Sequence, residues 1–138
     1  MKYLLDTNVI SEMRKLHRAD SAVKLWVASV DARDMHLSVI TIFECELGIL
    51  QLDRKDKKQA QILHSWLYTR ILPAFADRIL PIETPTALQC ARLHVPNPRS
   101  LRDFFIAATA LVHGMTVVTR NVKDFEPTGV PVLNPWGK

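Results

Sequence analysis

Short apolar runs alternate along the chain with longer stretches in which apolar residues recur every three or four positions, and Gly, Pro or polar clusters separate them. Tyr3, Leu4 and Leu5 form the first run and end in Asp6-Thr7-Asn8, the pattern of a buried strand and a polar turn. Val23, Trp26, Val27 and Val30 predict a helix over 21–30, followed by a turn at 31–34 and a strand over 36–39. Helical spacing returns over 41–52, with Ile40, Phe43, Leu47 and Leu50 as its apolar stripe and Thr41-Ile42-Phe43-Glu44 as a capping box. The charged run 54–58 leads into a helix reaching about 72, with Ile62, Leu63, Trp66 and Leu67 on its apolar face, and Pro73 is expected to stop it. Residues 78–82 read as a third strand, and Thr84-Pro85 opens a helix that Pro96 and Pro98 end.

Residues 100–125 organise the rest. Ser100 is placed to cap a helix, Phe105, Ala108, Thr109 and Val112 share one face, and Gly114 supplies a left-handed stop. A strand over 115–119 follows, and 130–133 can add a last one. Ala107, Ala108 and Ala110 would let this helix lie close to a sheet. Strands alternating with helices predict an α/β fold, a single domain over 1–138 with a mostly parallel central sheet flanked by helices.

Composition narrows the class. With 138 residues, 48% of them apolar and 23% charged, the chain can bury a real core and is too apolar for intrinsic disorder. The net charge of +4 suits an anionic partner without establishing one. Cys45 and Cys90 have no CxxC spacing and read as buried thiols of a reducing compartment. Residues 2–10 are too short a run, interrupted by Asp6 and Asn8, for a signal-peptide core, and no apolar run approaches membrane-spanning length. A soluble cytoplasmic protein is the expectation.

Four acids fall where open α/β sheets place their sites, near a strand's end or the start of the next helix: Asp6, Glu44, Asp103 and Asp124. Each also has a structural use. Asp6 can cap a helix, Glu44 can close the capping box, Ser100-x-x-Asp103 approximates a second box, and Asp124 can be a turn residue. If they share a pocket, they stay ionised together only with a cation, and an oxygen-only ligand set points to Mg²⁺ or Mn²⁺. None of the five histidines has zinc-site spacing, and no Ser nucleophile elbow or Gly-rich phosphate loop is present. Phosphodiester hydrolysis fits what remains. Arg99 and Arg102 flank the third acid, where they can meet phosphate or solvent.

Leu4-Leu5-Asp6-Thr7-Asn8-Val9-Ile10-Ser11-Glu12, Thr41-Ile42-Phe43-Glu44, Asp103-Phe104-Phe105-Ile106-Ala107-Ala108-Thr109-Ala110 and Thr119-Arg120-Asn121-Val122-Lys123-Asp124-Phe125 together resemble the PIN domain, and within it the VapC and FitB toxins of prokaryotic toxin–antitoxin pairs. The resemblance spans essentially the whole chain. It implies a Mg²⁺- or Mn²⁺-dependent endoribonuclease with Asp6, Glu44, Asp103 and Asp124 as its catalytic, metal-holding acids and Thr119 and Asn121 supporting them. It further implies a homodimer, an RNA substrate and a small antitoxin of the VapB or FitA kind whose tail covers the acidic groove. Residues 94–102 form a shorter segment than relatives usually carry before this aspartate, and Phe104 and Phe105 are bulkier than usual there, more in keeping with core than with base stacking. Two rivals remain: an aspartyl-phosphate enzyme using Asp6, although Asn8 stands where its second acid belongs, and a catalytically idle module that only binds RNA or an antitoxin.

Overall fold

The computed structural model describes residues 1–137; Lys138, the last position of the predicted 1–138 domain, lies outside the described residues. Five strands, β1 (Tyr3–Leu5), β2 (Met35–Ser38), β3 (Ile79–Leu80), β4 (Thr116–Val118) and β5 (Val132–Leu133), form one sheet in the order β3-β2-β1-β4-β5, and every pairing is parallel. The helices are α1 (Thr7–Arg14), α2 (Ser21–Ser29), α3 (Val39–Asp53), α4 (Lys57–Trp66), α5 (Leu72–Ala74), α6 (Thr84–Leu93), α7 (Leu101–His113) and α8 (Val122–Phe125). The expected α/β architecture is therefore present, with a wholly parallel sheet.

Register explains the layers. Leu4 lies opposite Val117, and Leu5 opposite Val118. Successive strand residues point to opposite faces, so the first pair joins Ile106, Ala107 and Ala110 of α7 and Phe125 on one side. The second pair joins Val9 and Ile10 of α1, Leu37, Ile49 of α3, Leu67 and Phe75 on the other. With β1 central, its C-terminal end has β2 on one flank and β4 on the other.

Several sequence expectations are corrected. The third helix starts at Val39, before the expected Thr41 capping box, because the hydroxyl of buried Ser38 accepts from Ile40 N at 3.0 Å. Thr41 thus lies inside the first turn, and Glu44 is released from any capping duty. The helix buries Thr41 and Ile49 and packs Ile42 and Cys45 inward, so two members of the expected stripe face solvent, Phe43 at 52% and Leu50 at 57% exposure. Ser38→Ala should lower stability by about 1 kcal/mol, the usual cost of a lost cap, in urea unfolding; an unchanged midpoint would show that the cap does not set where α3 begins.

Pro73 does not stop its helix. The chain widens into a π turn over Leu67–Ile71, and Pro73 falls in the first turn of α5, where a missing N–H costs least. α7, capped by Ser100 and stopped by Gly114 at φ 67° as expected, is buried on more than its expected face. Phe104, Ile106, Ala107, Ala108, Thr109 and Ala110 are all inside, whereas Val112 is exposed and Phe105 is half-buried, because α7 lies between the sheet and α6. The small alanines permit that close approach. Strands 78–82 and 115–119 contract to β3 and β4, and of the two thiols expected to be buried only Cys90 is; Cys45 is half-buried. Among the described residues no helix is long and apolar enough to cross a membrane.

Candidate active site

Asp6 follows β1 and caps α1, its backbone N–H donating to Val118 O at 2.9 Å across to β4. It is 6% exposed. Its Oδ1 accepts from Thr7 N at 2.8 Å, and its Oδ2 accepts from Thr119 Oγ1 at 2.8 Å and Asn8 Nδ2 at 3.3 Å. Capping and site placement thus coexist in one residue. Burial raises the Asp6 carboxyl above the ordinary aspartate range; the Thr119 and Thr7 donors oppose the rise, and the charges of Glu44 and Asp124 add to it.

The other acids arrive from separate elements. Glu44, in the second turn of α3, accepts from Thr7 Oγ1 at 2.7 Å through Oε1, and its Oε2 lies 3.7 Å from the Arg102 guanidinium, which sits over the Phe43 ring. Asp103 lies in the first turn of α7, its N–H 3.4 Å from Ser100 Oγ. Burial, then the charges of Asp6, Asp124 and Glu44, push its carboxyl up to about 6, against the opposing pull of the Ser100 hydroxyl. Asp124, on α8, is exposed. The charges of the four acids therefore bear on one another, and among the described residues Arg102 is the one cation within ion-pair distance of any of them.

Thr119 is the hinge of the polar network. Fully buried, it donates to Asp6 and accepts from Asn121 N at 3.0 Å and Asn8 Nδ2 at 3.2 Å. Asn8 also accepts from Arg120 N at 3.1 Å through Oδ1, tying the end of β1 to the turn after β4. Asn121 acts here through its backbone, and its side chain is exposed. The sequence reading missed Thr7 and Asn8 as positioning groups; the only sequence signal was their place in Asp6-Thr7-Asn8, because their partners lie 37 and more than 100 residues away. Arg99 lines a different cavity, with Val95, Pro96 and Phe104. Cys45, beside Glu44, has its thiol pushed up to about 11 by burial and then by that charge, which leaves it a poor nucleophile.

Among the described residues no three His, Cys, Asp or Glu side chains are gathered into a ready-made metal cage. The arrangement is a loose acidic cluster, buried at Asp6 and exposed at Asp124. Mg²⁺ keeps several of its waters and needs only one or two carboxylates from the protein, so oxygen-only donors with unrelieved mutual repulsion fit such an ion.

The family model of the PIN domain matches residues 3–129. The chain belongs to the PIN domain family. Within that family it is 40% identical to toxin FitB of Neisseria gonorrhoeae over 138 residues, covering 96% of this chain and 97% of the relative. It is 36% identical to VapC ribonuclease Y4jK of Sinorhizobium fredii, covering 96% of each. The crystal structure of FitAcB from Neisseria gonorrhoeae superposes with a TM-score of 0.86 at 39% identity, over 97% of this chain and 98% of that one. Among the four acids of this PIN domain, Asp6 is the one that Thr119 braces. If Asp6 holds a divalent ion, Thr119→Val should weaken Mn²⁺ binding about 10- to 100-fold, as loss of a group that orients a ligand does. Calorimetric titration checks this, and unchanged affinity would mean that the hydroxyl only packs.

Proposed function

We propose that residues 1–138 form a Mg²⁺- or Mn²⁺-dependent endoribonuclease that hydrolyses RNA phosphodiester bonds by water attack and acts in the cytoplasm as the toxin of a type II toxin–antitoxin pair. The observation that carries this reading is the convergence of Asp6, Glu44, Asp103 and Asp124 from four elements, close enough that their charges help hold Asp103 near 6. Relatives named toxin FitB and VapC ribonuclease support it.

When bound, a divalent ion would supply an activated water and neutralise charge at the phosphate. Asp6 and Asp103 would hold it, with Glu44 and Asp124 completing the acidic wall. Thr119, Thr7 N–H and Asn8 fix the rotamer of Asp6, and Thr7 Oγ1 fixes Glu44, so the donors are aimed before any ligand arrives. Asp103 can hold a proton or release it near neutrality. Asn8 spends its amide on this brace and leaves Asp6 without the second acid that an aspartyl-phosphate enzyme needs. A VapB- or FitA-like antitoxin would quench the toxin by setting a basic side chain among the acids. Exposed Phe43, Leu50 and Tyr68 give a second copy an apolar face to cover, in keeping with a homodimer.

Because ligands must be deprotonated, Mn²⁺ affinity should be level above about pH 7 and fall by up to about tenfold per pH unit below about 6, the value given for Asp103. Titrations between pH 5 and 8 test this. Affinity independent of pH would remove Asp103 from the ligand set.

A further inference from the structure

Two cavities of different chemistry lie beside the acids, one at Glu44 and one at Asp124. The one beside Glu44, about 320 Å³, joins Arg14, Lys15 and Glu44 to an apolar wall of Ile49, Leu63 and Trp66. The one beside Asp124, about 370 Å³, is lined by Arg120, Asn121, Lys123, Asp124 and Asn134, with Val122 its one apolar wall. Among the described residues neither Arg120 nor Lys123 lies within ion-pair distance of a carboxylate, although Asp124 is the residue after Lys123. Two cations are thus kept unneutralised at the edge of a cluster of acids.

Their placement is tied to the acids by the backbone. Arg120 N donates to Asn8 and Asn121 N donates to Thr119, the two side chains that hold Asp6, so the turn that carries Arg120 and leads into α8 with Lys123 is registered against the first acid. Arg120 Cζ sits over the Trp136 ring, 5.1 Å from its centroid. A cation–π contact takes up none of the guanidinium's N–H donors in hydrogen bonds to a carboxylate and leaves them for an anion. A cavity of this size is at the small end of ligand sites, suited to a single nucleotide rather than a duplex.

We propose that this cavity is a nucleotide subsite in which Arg120 and Lys123 hold the phosphate neighbouring the scissile one in a single-stranded RNA. It rests on the nuclease function above and adds the direction in which the strand leaves the acids: over the 120–124 turn, toward Asn134. The Glu44 cavity also carries two cations, Arg14 and Lys15, but Lys15 is already paired with Glu12 at 3.3 Å and Leu63 and Trp66 make the rest of that wall apolar, so it has less to offer a phosphate.

The test is binding of a fluorescein-labelled pool of single-stranded RNA in Mg²⁺ to the full chain carrying Asp103→Asn, so that the RNA stays intact. Adding R120A/K123A should weaken binding about tenfold and flatten the dependence on log salt by about 0.7, the value for one phosphate contact on a single strand. K57A/K58A, the same charge change on α4, should alter affinity less than about twofold, and R120K/K123R should restore the salt slope. Equal losses in the two alanine pairs, or no restoration, would overturn the subsite. If the parent chain cuts RNA while R120A/K123A binds it unchanged, the subsite falls and the nuclease stands; if the parent neither binds nor cuts, both fall. Unchanged RNA binding with a lost antitoxin complex would assign the cavity to a protein partner and overturn the proposal.

Discussion

Asp103→Asn is expected to slow RNA cleavage more than about a hundredfold while raising the melting temperature of the metal-free protein. The loss follows from removing what is proposed as a direct ligand, which should exceed the 10- to 100-fold cost of removing a supporting group. The gain follows from linkage. The Asp103 carboxyl is pushed from the usual 3.8 up to about 6, so between about pH 4 and 6 the folded protein holds a proton that the unfolded chain has released. Stability in EDTA must then fall as pH rises through that window, and above it the ionised acid carries its whole penalty. Asparagine never ionises and escapes it. The melting difference between variant and parent should be largest at pH 7 to 8 and close to nothing below pH 4; a variant that melts below its parent at pH 8 would contradict the repulsion inferred for the site.

Phe104→Ala should destabilise the protein by about 3–5 kcal/mol, the cost of deleting a buried phenyl ring. Phe104 is 1% exposed, packs with Cys90 and Ala108, and lies against the His94 ring at a centroid distance of 4.8 Å. It directly follows Asp103 and joins α7 to α6, so its packing fixes the turn that presents the acid. Against a typical total of about 5–15 kcal/mol, this is a large fraction of the stability. A urea midpoint within about 1 kcal/mol of the parent would show that Phe104 is not an anchor.

What the sequence could and could not specify divides along the range of the interactions. Ser100 and Gly114 bracket α7 through contacts with their own helix, and β1 ends at Asp6 because an apolar run meets polar residues; both were legible. The start of α3 was not. Ser38 and Thr41 are both cap-forming residues, and the choice between them depends on where β2 ends against β1 and β3. The exposure of Phe43 and Leu50 follows from which side of α3 meets the sheet, which the spacing of its apolar residues did not decide. The candidate acids were legible one at a time by their place near strand ends and by the PIN motifs. Their mutual repulsion requires the order β2-β1-β4, which brings residues 6, 44, 103 and 124 to one end of the sheet. The same nonlocality hid Thr7 as the partner of Glu44 and Asn8 as the link to Arg120.

The measurement that bears most directly on the assignment of function is cleavage of total cellular RNA by purified, antitoxin-free protein with Mg²⁺, with EDTA, and with the Asp6→Asn variant, with fragment ends read by sequencing. Discrete cuts that vanish in EDTA and in a folded Asp6→Asn variant are the expected result. Cuts that persist in either, or no cuts by the folded parent protein, would contradict a metal-dependent ribonuclease centred on Asp6.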